Sequence, residues 1–138
     1  VDPTNNALSV RQFSNTIQQG VSFLVSVPIG ATNISFSTKG RAATAPAAAA
    51  VVQPIVYVRR VPNNAAVTAW SSANNFTNIA IPTNAFYQYN TMTFSIASLS
   101  MLTGNLYQIE LTRAVSGIVG GTNLAYNWLL AELIISFT

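Results

Sequence analysis

Leu106-Tyr107-Gln108-Ile109-Glu110-Leu111-Thr112-Arg113 sets Tyr107, Ile109 and Leu111 on one side and Gln108, Glu110 and Thr112 on the other. Successive side chains of a strand point to opposite faces, so this period of two predicts a strand buried on one side only. A Gly-containing loop, Ser116 to Thr122, follows, and then Trp128-Leu129-Leu130-Ala131-Glu132-Leu133-Ile134-Ile135-Ser136-Phe137. Strict alternation there sends Leu129, Ala131, Leu133, Ile135 and Phe137 one way and Trp128, Leu130, Glu132, Ile134 and Ser136 the other. Both sets are largely apolar, which predicts a final strand covered on both sides.

Working towards the N-terminus, the same period recurs. Val21, Phe23, Val25 and Val27 alternate with Ser22, Leu24, Ser26 and Pro28, and Ile34 and Phe36 with Ser35 and Ser37. Pro54 to Val61 reads as a strand with Ile55, Tyr57 and Arg59 on one face and Val56, Val58 and Arg60 on the other. Ala66 to Trp70, Phe76 to Ile81 and Tyr87 to Ile96 are further strand candidates, and Ser98 to Leu102 suits one helical turn with Gly104 as a left-handed cap. The Ala-rich run from Ala42 to Ala50 is interrupted by Pro46 and reads as a loop. Residues 1–20 are polar and weakly patterned, with Leu8, Val10 and Phe13 as a possible short edge strand. The expectation is an N-terminal arm over 1–20 and one domain over 21–138, an antiparallel β-sandwich of about eight strands.

Composition narrows the function. Half of the 138 residues are hydrophobic and only 7% are charged, against roughly a quarter in ordinary globular domains. The polar surface must come from Asn, Thr, Ser and Gln, which suits a protein whose surface is largely covered by neighbours. There is no Cys and no His, so disulfides, thiolate metal sites and imidazole bases are excluded. The net charge of +3 comes from six basic and three acidic residues, with no basic block for nucleic acid. The most apolar stretch, Trp128 to Ile135, contains Glu132 and is far short of the roughly 20 residues of a spanning helix, so no membrane role is expected. Val1-Asp2-Pro3-Thr4-Asn5-Asn6 carries neither the basic nor the apolar region of a signal peptide.

The acids are Asp2, Glu110 and Glu132. Glu110 and Glu132 on the last two strands are the one pair that a glycoside hydrolase would need. The blander expectation is that each neutralises an arginine, with Arg59, Arg60 and Arg113 at hand. Lys39 with Arg41, and Arg59 with Arg60, form small basic pairs that suit acids of a neighbouring chain or these two glutamates. A Ser or Thr nucleophile would lack a base. Gly117, Gly120 and Gly121 stand between strands and make no phosphate loop. Trp70, Tyr87, Tyr89, Tyr126 and Trp128 are the aromatic candidates for stacking on a sugar or a partner. No catalytic residue, metal ligand or cofactor is expected.

The two C-terminal strands, the Arg113 that ends the first of them and the loop between resemble the ending of jelly-roll modules in virion proteins of tailed bacteriophages. A strand like Pro54 to Arg60 upstream belongs to the same pattern, so the resemblance spans roughly residues 54–138. It implies a jelly-roll sandwich, and small single-domain members are similar to capsid decoration, or cement, proteins. For this chain the resemblance implies a non-enzymatic virion structural protein on the outer capsid surface. It would bind the major capsid protein or other virion proteins by multivalent contact, as a homo-oligomer with a trimer favoured. Val10, Arg11 and Phe13 in the arm, and Arg41, Arg59 and Arg60 among the charges, are the expected partner contacts. The alternative is a tail-fibre or baseplate module that recognises host glycans.

Overall fold

The computed structural model describes residues 11–75 and 77–138. Val10, Phe76 and the first half of the expected arm lie outside the described residues. The described chain is all-β, a sandwich built from ten strands and no helix. In chain order the strands are β1 (Arg11–Phe13), β2 (Gly20–Ser26), β3 (Asn33–Ala42), β4 (Ala50–Val52), β5 (Pro54–Arg60), β6 (Asn74–Asn75), β7 (Ile79–Ile81), β8 (Gln88–Ser95), β9 (Leu106–Arg113) and β10 (Trp128–Phe137). One four-stranded sheet has the order β1-β10-β3-β8, the other β2-β9-β5-β6, and β4 pairs with β7 in a short ribbon. All strand pairings are antiparallel.

The predicted alternation places the core. From β9, Tyr107, Ile109 and Leu111 turn inward, and from β5 Val56 and Val58 do the same. The facing sheet answers with Ile34 and Phe36 from β3 and Met92 from β8, while Val21, Phe23 and Val25 of β2 pack against the same cluster. Burial of this contiguous apolar surface at roughly 25 cal/mol per Å2 is the main favourable term in folding. No disulfide contributes, since the chain has no cysteine.

The final strand departs from strict alternation, and the departure explains its two apolar faces. β10 pairs with β3 from Trp128↔Ala42 to Leu130↔Gly40, then resumes at Glu132↔Lys39, leaving Ala131 as an extra residue. This β-bulge reverses the phase of the pleat. Before it, Trp128 and Leu130 are buried. After it, Leu133, Ile135 and Phe137 face the core, and Glu132, Ile134 and Ser136 are exposed. Both apolar sets therefore serve one core. The expectation of a second covering over the whole strand came from reading ten residues as one uninterrupted pleat.

The segment expected to be an arm lies, from Arg11 onward, against its own chain. β1 pairs with the start of β10 through Arg11↔Leu130, Gln12↔Leu129 and Phe13↔Trp128. Phe13 is 1% exposed, its ring 5.6 Å from that of Trp128. On its other side the Trp128 indole lies over Gly40, where an added Cβ would meet indole atoms at 2.6 to 2.8 Å. A side chain at residue 40 would occupy the volume that the tryptophan fills.

Two expected elements differ. The single turn expected over Ser98 to Leu102 lies earlier, over Ile96 to Ser100, with Leu99 N–H bonded to Ser95 O at 3.4 Å, Ser100 N–H to Ala97 O at 3.0 Å and Met101 N–H to Ile96 O at 3.0 Å. Ser100 adopts a φ of 54°, which breaks a helical path and lets Leu99 and Met101 both turn inward. Gly104 has the expected positive φ of 74°, here in the turn before β9. Ala66 to Trp70 is not a strand, although its chain runs beside β5. Val58 N–H donates to Ser71 Oγ at 3.1 Å and Arg60 N–H to Thr68 Oγ1 at 2.8 Å. Side-chain oxygens stand there for the carbonyls of a regular ladder.

Gly40→Ala is expected to destabilise the fold by about 1–3 kcal/mol, the range for overpacking a filled core, read as a lower urea midpoint with an unchanged slope. Deleting Ala131 should cost more, because it returns β10 to a single phase and turns Trp128 and Leu130 outward. Loss of cooperative unfolding would be the expected result, and a native-like thermal transition would contradict the role assigned to the bulge.

Candidate functional site

The cross-strand register builds the outer face of the sheet β2-β9-β5 in rows, of which the Thr112 and Ile55 row is buried and the other two reach solvent. Leu24 lies opposite Gln108, which lies opposite Arg59; the next row is Ser22, Glu110 and Tyr57. Thr112 and Ile55 form a third row beside Gly20. Arg59 Nε donates to Gln108 Oε1 at 2.7 Å, and its guanidinium carbon sits 4.4 Å from the centre of the Trp70 ring. Cation–π contact and the charge-assisted bond together hold the guanidinium in one orientation. Trp70 reaches this place because the irregular segment after β5 doubles back along that strand's edge.

Gln18 closes the other end of the face. Its Nε2 donates to Tyr57 Oη and to Thr112 Oγ1, both at 3.3 Å. Gly20 leaves room for Glu110, since a Cβ there would stand 2.6 Å from the carboxylate Oε1. An open hollow lined by Arg11, Gln12, Gln19 and Gly20 adjoins this corner. The face thus carries two aromatic rings, a fixed guanidinium, a carboxylate and four amide or hydroxyl side chains, Gln18, Gln108, Ser22 and the buried Thr112. It is flat, rigid and rich in paired donors and acceptors.

The expected contact residues do not come together. Arg11 donates to Gly20 O at 3.1 Å, and Phe13 is buried in its own chain's core. Arg41 lies on the outer face of the opposite sheet, 5.3 Å from the Tyr87 ring, and donates to Ala42 O at 3.1 Å. Arg59 and Arg60 are neighbours on a strand and so point to opposite sides. Arg59 joins the face above, whereas the exposed Arg60 borders a groove with Thr68, Ala69, Leu102 and Tyr107.

The glutamates are separated in the same way. Glu110 stands on the outer face of β2-β9-β5 and Glu132 on the outer face of β1-β10-β3-β8, with the core between them. This placement gives the paired-carboxylate reading no support. Neither neutralises an arginine: among the described residues no ion pair forms. Lys39 is in register with Glu132 but lies 4.9 Å over the Tyr89 ring. Among the described residues no group of three or more metal-binding side chains occurs, and no helix is long and apolar enough to cross a membrane.

Of the aromatic candidates, Trp128 belongs to the core, and Tyr89 and Tyr126 are exposed on other surfaces. Only Trp70 joins the face. Tyr57, Gln18 and Gln108 were not singled out in the sequence, because uncharged polar residues at outward strand positions carry no signal of their own.

Arg113, at the end of β9, is 0% exposed and serves structure. Its Nη1 donates to Tyr126 O at 2.7 Å, and its Nη2 to Asn123 Oδ1 at 3.0 Å and to Leu124 O. Burial lowers its pKa from the ordinary guanidinium value to about 10, so it stays charged at neutral pH. Oxygen dipoles, not a carboxylate, receive the charge, and they tie the loop before β10 to the end of β9. The loop in turn holds β4, through Val51 N–H to Thr122 O at 2.8 Å and Leu124 N–H to Val51 O at 2.9 Å.

No protein-family model matches the sequence, and no curated protein gives a significant match. Among solved structures the chain is similar to the enzymatically active domain of tailspike protein 4 from bacteriophage CBA120, with a TM-score of 0.48 and 6% identity over 94% of this chain. It spans 15% of that tailspike chain. It is also similar to Family 16 Carbohydrate Binding Module-2, with a TM-score of 0.43 and 9% identity, covering 96% of this chain and 79% of that one.

Arg113→Met is expected to cost about 3 kcal/mol or more, because it strands several acceptors at the loop. Chemical denaturation at pH 7 measures it. The group's linkage has a definite sign. Below about pH 10 both folded and unfolded forms carry the proton, and from about pH 10 up to the ordinary guanidinium range the unfolded form binds more, so this group's contribution to stability rises with pH there.

Proposed function

We propose that this protein is a non-catalytic binding module that recognises carbohydrate on the outer face of β2-β9-β5. The observation that carries the reading is the fixed row of Trp70, Arg59 and Gln108 beside Tyr57 and Glu110 on an open sheet. Sugars present apolar C–H faces and directional hydroxyls. An aromatic ring meets the first, and planar guanidinium, amide and carboxylate groups meet the second. Because Arg59, Gln108, Tyr57 and Glu110 stand on strands and Trp70 is packed on the Arg59 guanidinium, little conformational entropy is lost on binding.

This reading favours the receptor-binding alternative, a part of a tail fibre or baseplate, over capsid decoration. Decoration drew on the resemblance, on low charge, on a two-faced final strand and on the arm, and low charge suits either reading. The bulge at Ala131 gives the two-faced strand another cause, and β1 places residues 11–13 on the domain itself. A virion location remains part of the proposal through the sequence resemblance alone.

Glycan-array screening followed by calorimetric titration of the best binder is the test. Trp70→Ala and Arg59→Ala are each expected to weaken binding about tenfold or more, the size of a central contact residue, with little change in thermal stability. A protein that gives no glycan hit but binds purified capsids would overturn the proposal in favour of decoration. Glycan binding that survives both substitutions would move it off this face.

A further inference from the structure

Among the described residues the acidic side chains are Glu110 and Glu132, and both stand away from β5. The Glu110 carboxylate leans over Gly20 on β2, where a Cβ would stand 2.6 Å from its Oε1, and β9 separates β2 from β5. Glu132 is on the opposite sheet. The face is therefore electrically lopsided, with its acid at the β2 side and its cation, Arg59, at the β5 side.

The β5 side carries a second cation. A groove of about 340 Å3 opens where the chain returns along β5, and both Arg59 and Arg60 line it, with Thr68, Leu99, Leu102 and Tyr107. Its walls are held in place. Arg60 N–H donates to Thr68 Oγ1 at 2.8 Å, and Thr68 N–H to Arg60 O at 3.1 Å. Across the groove Leu102 N–H donates to Tyr107 Oη at 2.9 Å. The other arginines of the chain turn their terminal nitrogens to backbone oxygens: Arg11 to Gly20 O, Arg41 to Ala42 O and Arg113 to Tyr126 O. Arg59 uses only Nε, on Gln108, and among the described residues neither its Nη nitrogens nor the Arg60 guanidinium has a hydrogen-bond partner. The two arginines whose forks are open are the two that share a groove.

Resting on the carbohydrate reading of this face, we infer that the sugar bound here is acidic, a saccharide carrying carboxylates, with one carboxylate on the Nη edge of Arg59 and another on Arg60 in the groove. A guanidinium edge gives a carboxylate two parallel N–H bonds, a geometry that a single hydroxyl does not match. Trp70 stacked on Arg59 fixes the plane of that edge and leaves its donors free. Like charges in one groove repel, and an anionic chain laid across them removes the repulsion. The exposed Leu102 gives the groove an apolar wall for the C–H face of a sugar. Glu110, at the far side of the face, repels a carboxylate placed there and so sets the direction in which the chain lies.

Calorimetric titration at low ionic strength tests this, with uronic-acid and sialic-acid oligosaccharides each measured beside its carboxyl-reduced, neutral counterpart. The acidic form of the best binder is expected to bind about tenfold tighter than its reduced form, the size of a charge-assisted hydrogen bond, and added salt should narrow the gap. Arg60→Gln, at an exposed position, should weaken the acidic form about fivefold, as an exposed ion pair at its upper end would, and leave the reduced form unchanged. Arg59→Lys keeps the charge without the fork and should lose most of the preference. Binding that depends on Trp70 yet is indifferent to carboxyl reduction would overturn the acidic assignment and leave the carbohydrate reading standing. A preference for acid that survives Arg60→Gln and Arg59→Lys together would also overturn it. Failure to bind any glycan, acidic or neutral, would overturn both.

Discussion

The phase change in β10 at Ala131 is the constraint on which the sandwich depends. β10 lies between β1 and β3, so its inward side chains fix what each neighbour must supply. Before the bulge the strand delivers Trp128, whose indole needs a glycine beneath it and an aromatic ring beside it. Gly40 and Phe13 meet those needs, and through Phe13 the chain from Arg11 onward is drawn onto the domain. After the bulge the strand delivers Leu133, Ile135 and Phe137 to the same core. One extra residue thus lets a ten-residue strand serve two parts of the interior whose pleats are out of phase.

Low charge gives the second theme. With few acids available, the basic side chains find other company: aromatic rings for Lys39, Arg41 and Arg59, and oxygens of the chain for Arg11 and Arg113. These contacts act differently from ion pairs. A guanidinium stacked on a ring and bonded to an amide keeps its charge available to a ligand, whereas a carboxylate partner would neutralise it. Arg113 shows the structural use of the same chemistry. Its charge is spread over several oxygens, and the loop from Asn123 to Tyr126 is shaped around it.

The two sheets have taken different surface roles. The outer face of β2-β9-β5 gathers rings and mixed polar groups, and its rows are pinned by side chains from outside the strands, Trp70 and Gln18. The outer face of the other sheet carries a ladder of serines and threonines between β3 and β8.

Period-two alternation was enough to find β2, β3, β5, β8, β9 and β10, because each buries one face and the pattern is local. Composition removed imidazole and thiolate chemistry, because what is absent from the chain cannot be supplied by folding, whereas the pairing of Glu110 with Glu132 stayed open until the fold set them on opposite sheets. The bulge at Ala131 was invisible, since an extra residue in an apolar run differs from a two-faced strand only in what packs against it. So was the candidate face. Trp70 stood in the sequence as one aromatic among several, and Tyr57, Gln18 and Gln108 as ordinary polar residues. They come from three distant segments, and only the register of β5 on β9 and the return of the chain along β5 bring them together. Arg59 and Arg60 show the converse. Adjacent in the chain, they are sent to different surfaces by the pleat, so tertiary structure, not proximity in sequence, decided which of them takes part.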